Sequence, residues 1–210
     1  MALVRVRLHS FELMLYSVPT GGGMPRVFRQ LSSEESFLDA RRGRVFGGGK
    51  ICESCSATIP ADKENCRALF DEMIAREFSD YRYSRRHRLT VDAYSLQHPD
   101  SFMRSGKSFA AHLTGMCAEF EFNDPAKVNK SVQLWLSGSK EIPKPHCLPS
   151  HHGSLTIAFL YGAEGAVEYL ERVREWAACV WEAWSQHHNL ARLWIQEALR
   201  NSSDFRRPRA

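Results

Sequence analysis

No apolar run in this 210-residue chain approaches the ~20 residues that a membrane-spanning helix needs. The apolar stretch at residues 13–18 is short, has Glu12 beside it and is followed by no small-residue cleavage site, so no secretory leader is expected. Cysteine is sparse. Six thiols in a chain of this length do not form the dense framework of a small secreted domain, so a reducing, cytoplasmic setting is expected. A charge excess on a folded face is also missing. The formal net charge is +4, and residues 1–50 account for all of it, with eight cations against four carboxylates. A duplex-binding domain needs its cations on a folded surface, whereas here they lie in the first 50 residues and at Arg206, Arg207 and Arg209. Nucleic acid is therefore not the expected partner, nor is a membrane. No internal repeat is visible.

With 43% hydrophobic and 25% charged residues, the composition is that of an ordinary globular domain. Residues 1–50 contain two triple-glycine stretches and no sustained periodicity. They read as a poorly ordered basic extension with one short strand at residues 3–8, and Met24 is an alternative start. Residues 51–200 read as one helical domain, and residues 201–210 as a basic tail. Asp62 is placed to cap a helix from Lys63 whose apolar positions are Cys66, Leu69, Phe70, Met73, Ile74 and Phe78. A second helix is expected from Ser84 to His98, ended by Pro99. Further helices are expected at residues 105–122 and 126–136, with a brief one from Thr156 to Tyr161. A long final helix starting at Gly165 should bend between residues 185 and 189. The Pro- and His-rich residues 137–153 read as a loop that includes Cys147, and Cys117 and Cys179 as small core residues. The fold class is all-α, a helical bundle with a small N-terminal zinc knuckle.

The knuckle rests on spacing. Cys52, Cys55, Cys66, His87 and His98 follow C-x2-C-x10-C-x20-H-x10-H. Paired thiols on a turn, a third thiol and an imidazole are the ligand set of a closed zinc site. The two histidines lie eleven residues apart on one helix, a span of ~16 Å, so they cannot both reach one ion. If the first two helices form an antiparallel hairpin, His98 lies level with Cys66, and His87 about three turns away beside Phe78. The expected ligands are therefore Cys52, Cys55, Cys66 and His98, with His87 the substitute should the hairpin fail. Cys66 also lies in the first turn of its expected helix, where the macrodipole favours a thiolate. A redox role for the Cys52/Cys55 pair is less consistent, because such dithiols follow a strand in a βαβ context and none is apparent.

Several longer stretches resemble a known family. The Cys52-x2-Cys55 pair and the helix start from Cys66 to Phe70 are among them, as are the Val91-Asp92-Ala93-Tyr94 and Gln97-His98-Pro99 words. Ser108-x3-His112-Leu113 and the run from Trp181 to His188 complete the set. Together they are similar to an uncharacterised, largely bacterial family, domain of unknown function 5946, over about residues 51–199. The resemblance supports the domain boundary and implies no activity.

Outside the knuckle, His87, Asp92, His112, His187 and His188 are candidate catalytic groups. Gathered in a cleft, they would suit a metal-dependent hydrolase. Packing or hydrogen-bonded boundary roles are the plainer expectation for histidines on half-apolar helix faces. His146, His151 and His152 lie in the polar loop. The sequence thus points to a zinc-binding helical protein with a binding or regulatory role toward a protein or small molecule, and names no ligand.

Overall fold

The computed structural model describes residues 50–138, 141–145 and 147–204. All lie in one compact unit, Gly43–Ala210. The expected extension up to residue 49, its strand, His146 and the tail arginines lie outside the described residues. Among those residues the chain is all-α apart from one small ribbon. Strand β1 (Lys50–Ile51) pairs antiparallel with β2 (Thr58–Ile59), Lys50 opposite Ile59 and Ile51 opposite Thr58. Eight α-helices follow. None of them is long and apolar enough to cross a membrane.

Helix α1 (Cys66–Ser79) begins at the third expected thiol, because the Asn65 side chain caps it by accepting from the Ala68 N–H at 2.9 Å. The start expected at Lys63 does not form. The Lys63 N–H donates to the Pro60 carbonyl in a turn, and its ammonium reaches Asp62 and Glu72. Phe78, expected on the buried face, is 68% exposed, and its neighbour Glu77 is buried in its place at 1%. The expected second helix is divided. Asp80 caps the single turn α2 (Tyr81–Ser84), and α3 (His87–Gln97) starts afresh after Arg86 leaves helical geometry. Pro99 opens the short helix α4 (Pro99–Phe102).

Helix α5 (Gly106–Glu121), capped by Ser105, is the central element, with Phe109, Leu113, Met116 and Cys117 fully buried. It packs against α3, against α6 (Pro125–Ser137) and against α8 (His188–Asp204). Helix α7 (Gly165–Ala183) lies along α3 and buries Trp176 and Val180. The expected bend is a 3-10 turn, Ser185–His187, between α7 and α8. Thr156 makes no side-chain cap, so the expected helix there is a single 3-10 turn, Ile157–Leu160. Cys179 is only half-buried rather than a core residue. Its sulfur accepts from the backbone N–H groups of Ser154 and Leu155 at 3.1 and 3.4 Å.

Candidate metal centre

The ribbon exists to hold a turn. After β1 the Cys52 N–H donates to the Ala57 carbonyl at 2.9 Å, and the Ser56 N–H returns to the Cys52 carbonyl at 2.8 Å. Ser56 takes the left-handed conformation, φ 61°, that closes so tight a loop without glycine. Buried Ala57 and Ile59 fix the turn to the core. Cys52 and Cys55 are thereby brought over the first residue of α1, Cys66. The last contributor is His98, the residue that ends α3, whose ring stacks on Tyr94 at 4.0 Å while Tyr94 stacks on Phe70 at 4.0 Å.

One ligand atom from each of Cys52, Cys55, Cys66 and His98 lies within 4.8 Å of every other. His98 Nε2 stands 3.6 Å from Cys52 Sγ and 3.5 Å from Cys66 Sγ, and Cys55 Sγ stands 3.7 Å from Cys66 Sγ. A tetrahedral zinc with ordinary bond lengths would space its sulfurs about 3.8 Å apart and place nitrogen about 3.6 Å from sulfur. The three measured edges match that figure, so the geometry is compatible with a metal site. The His98 tautomer also fits. Its Nδ1–H donates to the Tyr94 carbonyl at 2.9 Å, which leaves the Nε2 lone pair facing the sulfurs.

The electrostatics point the same way. The hydrogen bond to Cys66, together with burial, pushes the Cys55 thiol up to about 12. Tyr94 is raised as well, by burial and by the neighbouring Cys66 charge and hydrogen bond. A Cys55 thiol raised in this way keeps its proton, and a dication is what would compensate its ionisation.

The five candidate catalytic residues do not gather in this way. Among the described residues, the Cys52, Cys55, Cys66 and His98 set is the one group of three or more potential ligands drawn together. His87 Nδ1 bonds Glu77 Oε2 at 2.7 Å, and its ring lies 4.9 Å from that of Phe78, at the far end of α1 from the thiols. Asp92 and His112 do meet, at 2.9 Å, but both are buried, and the other Asp92 oxygen accepts from Arg88. Gly115 makes room for that carboxylate, since a Cβ there would stand 2.0 Å from Asp92 Oδ2. His187 donates to the Cys147 carbonyl, while His188 donates to the Trp181 carbonyl and stacks on the Trp181 ring at 3.6 Å.

Sequence reasoning missed Glu77 and the bonding roles of Gln97 and His152. Glu77 collects His87, Thr90 and Tyr169. Gln97 donates to the His152 and Leu155 carbonyls and accepts from Trp176, and His152 donates to the Ser54 carbonyl inside the knuckle. A polar residue in step with the apolar positions Cys66, Phe70 and Met73 was the available signal for Glu77.

No curated protein and no solved structure matches the chain. Residues 50–185, which hold all four gathered ligands, match the family described as "Family of unknown function (DUF5946)", and the chain belongs to that family.

Proposed function

We propose that the chain is a zinc-binding helical protein whose metal is structural and whose role is binding or regulation rather than turnover. The observation that carries this reading is the mutual spacing of Cys52, Cys55, Cys66 and His98. Three thiolates and an imidazole in tetrahedral array suit zinc better than the octahedral oxygen-binding cations. Four protein ligands leave no open position for substrate, which is the mark of a structural rather than a catalytic ion. The hydrolase alternative gains no support from His87, His187 and His188, which hold separate partners, nor from Asp92 and His112, which are buried against each other with Arg88 on the carboxylate. The free thiols are in keeping with a reducing cytoplasm, and the partner is a protein or small molecule.

Elemental analysis of the purified chain tests the reading, with about one zinc per molecule expected. Cys55→Ser and His98→Ala should each lose the metal and melt at lower temperature, and a chelator should reproduce that loss in the unaltered protein. A chain that is folded and metal-free as purified would overturn the proposal.

A further inference from the structure

Arg86 and Arg174 share one counter-ion. Arg86, the residue before α3, places its guanidinium 2.9 Å from Glu119 Oε1 on α5. Arg174 on α7 reaches the same oxygen at 3.6 Å and lies over the Phe120 ring, 5.6 Å from its centre. Arg85 is exposed, and among the described residues it makes no hydrogen bond and no ion pair. Asp80 does not relieve it, because Arg82 takes both Asp80 oxygens.

Three guanidiniums thus stand at one corner with one paired carboxylate among them, an excess of two positive charges. The crowding is felt at Arg86. Burial, joined by the charges of Arg174 and Arg85, holds its guanidinium below the ordinary arginine value, although Glu119 acts the other way. The same corner holds the start of α3, whose first turn has no side-chain cap and no acidic residue. An uncapped helix start adds positive potential there. Arg174 is far from Arg85 and Arg86 in the sequence, so this excess exists only in the fold.

We propose that Arg85, Arg86 and Arg174 form a binding site for a phosphate monoester group. Such a group carries about two negative charges at neutral pH and three terminal oxygens, which match two uncompensated charges and three guanidiniums. A single carboxylate would leave one positive charge uncompensated. The planar guanidinium also grips phosphate oxygens in pairs, which an ammonium cannot do. Glu119 is the resident counter-ion: it holds Arg86 and Arg174 in place while their remaining N–H groups serve the phosphate. A small phosphate ester and a phosphorylated side chain of a partner protein share this chemistry. The inference goes beyond the metal reading and does not rest on it, since Arg86 and His98 bracket α3, about 18 Å apart along its axis.

Isothermal titration calorimetry on the full chain at low salt tests the proposal. The probes are inorganic phosphate, glycerol phosphate, a short phosphoserine peptide and acetate. The three phosphates should bind at least about tenfold tighter than acetate, and added salt should weaken them. Arg85→Gln removes an exposed, unpaired side chain, so the fold stays and phosphate affinity should fall about tenfold. Glu119→Gln removes the competing charge and should tighten phosphate several-fold. A phosphoserine peptide bound about tenfold tighter than glycerol phosphate supports a phosphorylated protein as the source, and equal affinities support a small ester. Acetate binding as well as phosphate overturns the proposal, as does the absence of phosphate binding up to about 10 mM. So does unchanged affinity in Arg85→Gln, or no gain in Glu119→Gln, since the arginines then only hold the helices together. A single-stranded oligonucleotide without terminal phosphates that displaces the esters also overturns it, because the ligand would then be a phosphodiester chain. Zinc content of the same samples reports on the metal separately, so either reading can fail alone.

Discussion

His187 is buried at 7% exposure, its ring tilted against Trp184 at 5.3 Å and edge-on to Phe109 at 5.8 Å. Its Nε2–H donates to the Cys147 carbonyl at 3.0 Å. Burial holds its imidazolium below the ordinary histidine value of 6.5, and the charge of His188 pushes the same way. The sign of the stability effect follows. As pH falls below 6.5 the unfolded chain takes up this proton first, so the contribution of His187 is complete above 6.5 and is lost as pH drops toward the folded value. His187→Gln keeps a donor for the Cys147 carbonyl and removes the titration. Melting temperatures of the two proteins, followed by circular dichroism, should therefore converge as pH is lowered through 6.5 toward about 5, the variant losing less. Parallel curves over that range would show that the His187 proton has no part in acid stability. This site was legible only in outline. The sequence places His187 at a bend behind Trp181 and Trp184, but its acceptor is a backbone carbonyl forty residues away, which carries no residue-type signal.

A buried carboxylate joins three of the helices. Glu77 on α1 accepts from Thr90 Oγ1 on α3 at 2.6 Å and from the Tyr169 hydroxyl on α7 at 2.8 Å, and it holds His87 Nδ1 at 2.7 Å. Burial and the Glu77 charge raise the Tyr169 hydroxyl, which therefore stays a donor. Three elements thus converge on one side chain. Removing it leaves two buried hydroxyls without their acceptor, so Glu77→Ala should cost about 3 kcal/mol of unfolding free energy, read by urea denaturation. Glu77→Gln keeps one acceptor oxygen and should cost less. A loss for Glu77→Ala within the ~0.5 kcal/mol typical of surface substitutions would show that these helices are held by apolar packing alone. At this scale the sequence conveyed helix existence well, because apolar spacing is local. The exchange of Phe78 for Glu77 on the buried face was hidden, since it depends on partners that Thr90 and Tyr169 supply from distant helices. The metal group was legible for the opposite reason. Its chemistry demands particular residue types, and hairpin geometry alone separates His98 from His87.

Besides buried Ala57 and Ile59, a strap of irregular chain, residues 152–155, ties the metal knuckle to the helical body. His152 Nδ1 donates to the Ser54 carbonyl, between the paired cysteines, at 3.2 Å. The His152 and Leu155 carbonyls accept from the Gln97 amide, one residue before His98, at 2.9 and 2.7 Å. Gln97 is in turn held by the Trp176 indole at 3.0 Å. The strap then runs onto Cys179, where Gly153, at φ 100°, allows the close approach, since a Cβ there would stand 3.2 Å from both the carbonyl and the sulfur of Cys179. Besides the ribbon and buried Ala57 and Ile59, the four ligands hold the Ser54 turn, so removing the metal should loosen the Ser54 carbonyl and with it the His152 end of the strap. The N–H donors of Ser154 and Leu155 then leave the Cys179 sulfur, which becomes more accessible. Chelation should therefore speed alkylation of Cys179 several-fold, in the range set by local rather than global opening. His152→Ala should do the same with the metal still bound, because it cuts the strap without touching a ligand. If chelation exposes every cysteine at one common rate, the whole domain unfolds together and the strap is not a separate unit. If the His152→Ala rate equals that of the unaltered protein, the link from knuckle to α7 does not pass through His152, and the Gln97 contacts carry it alone.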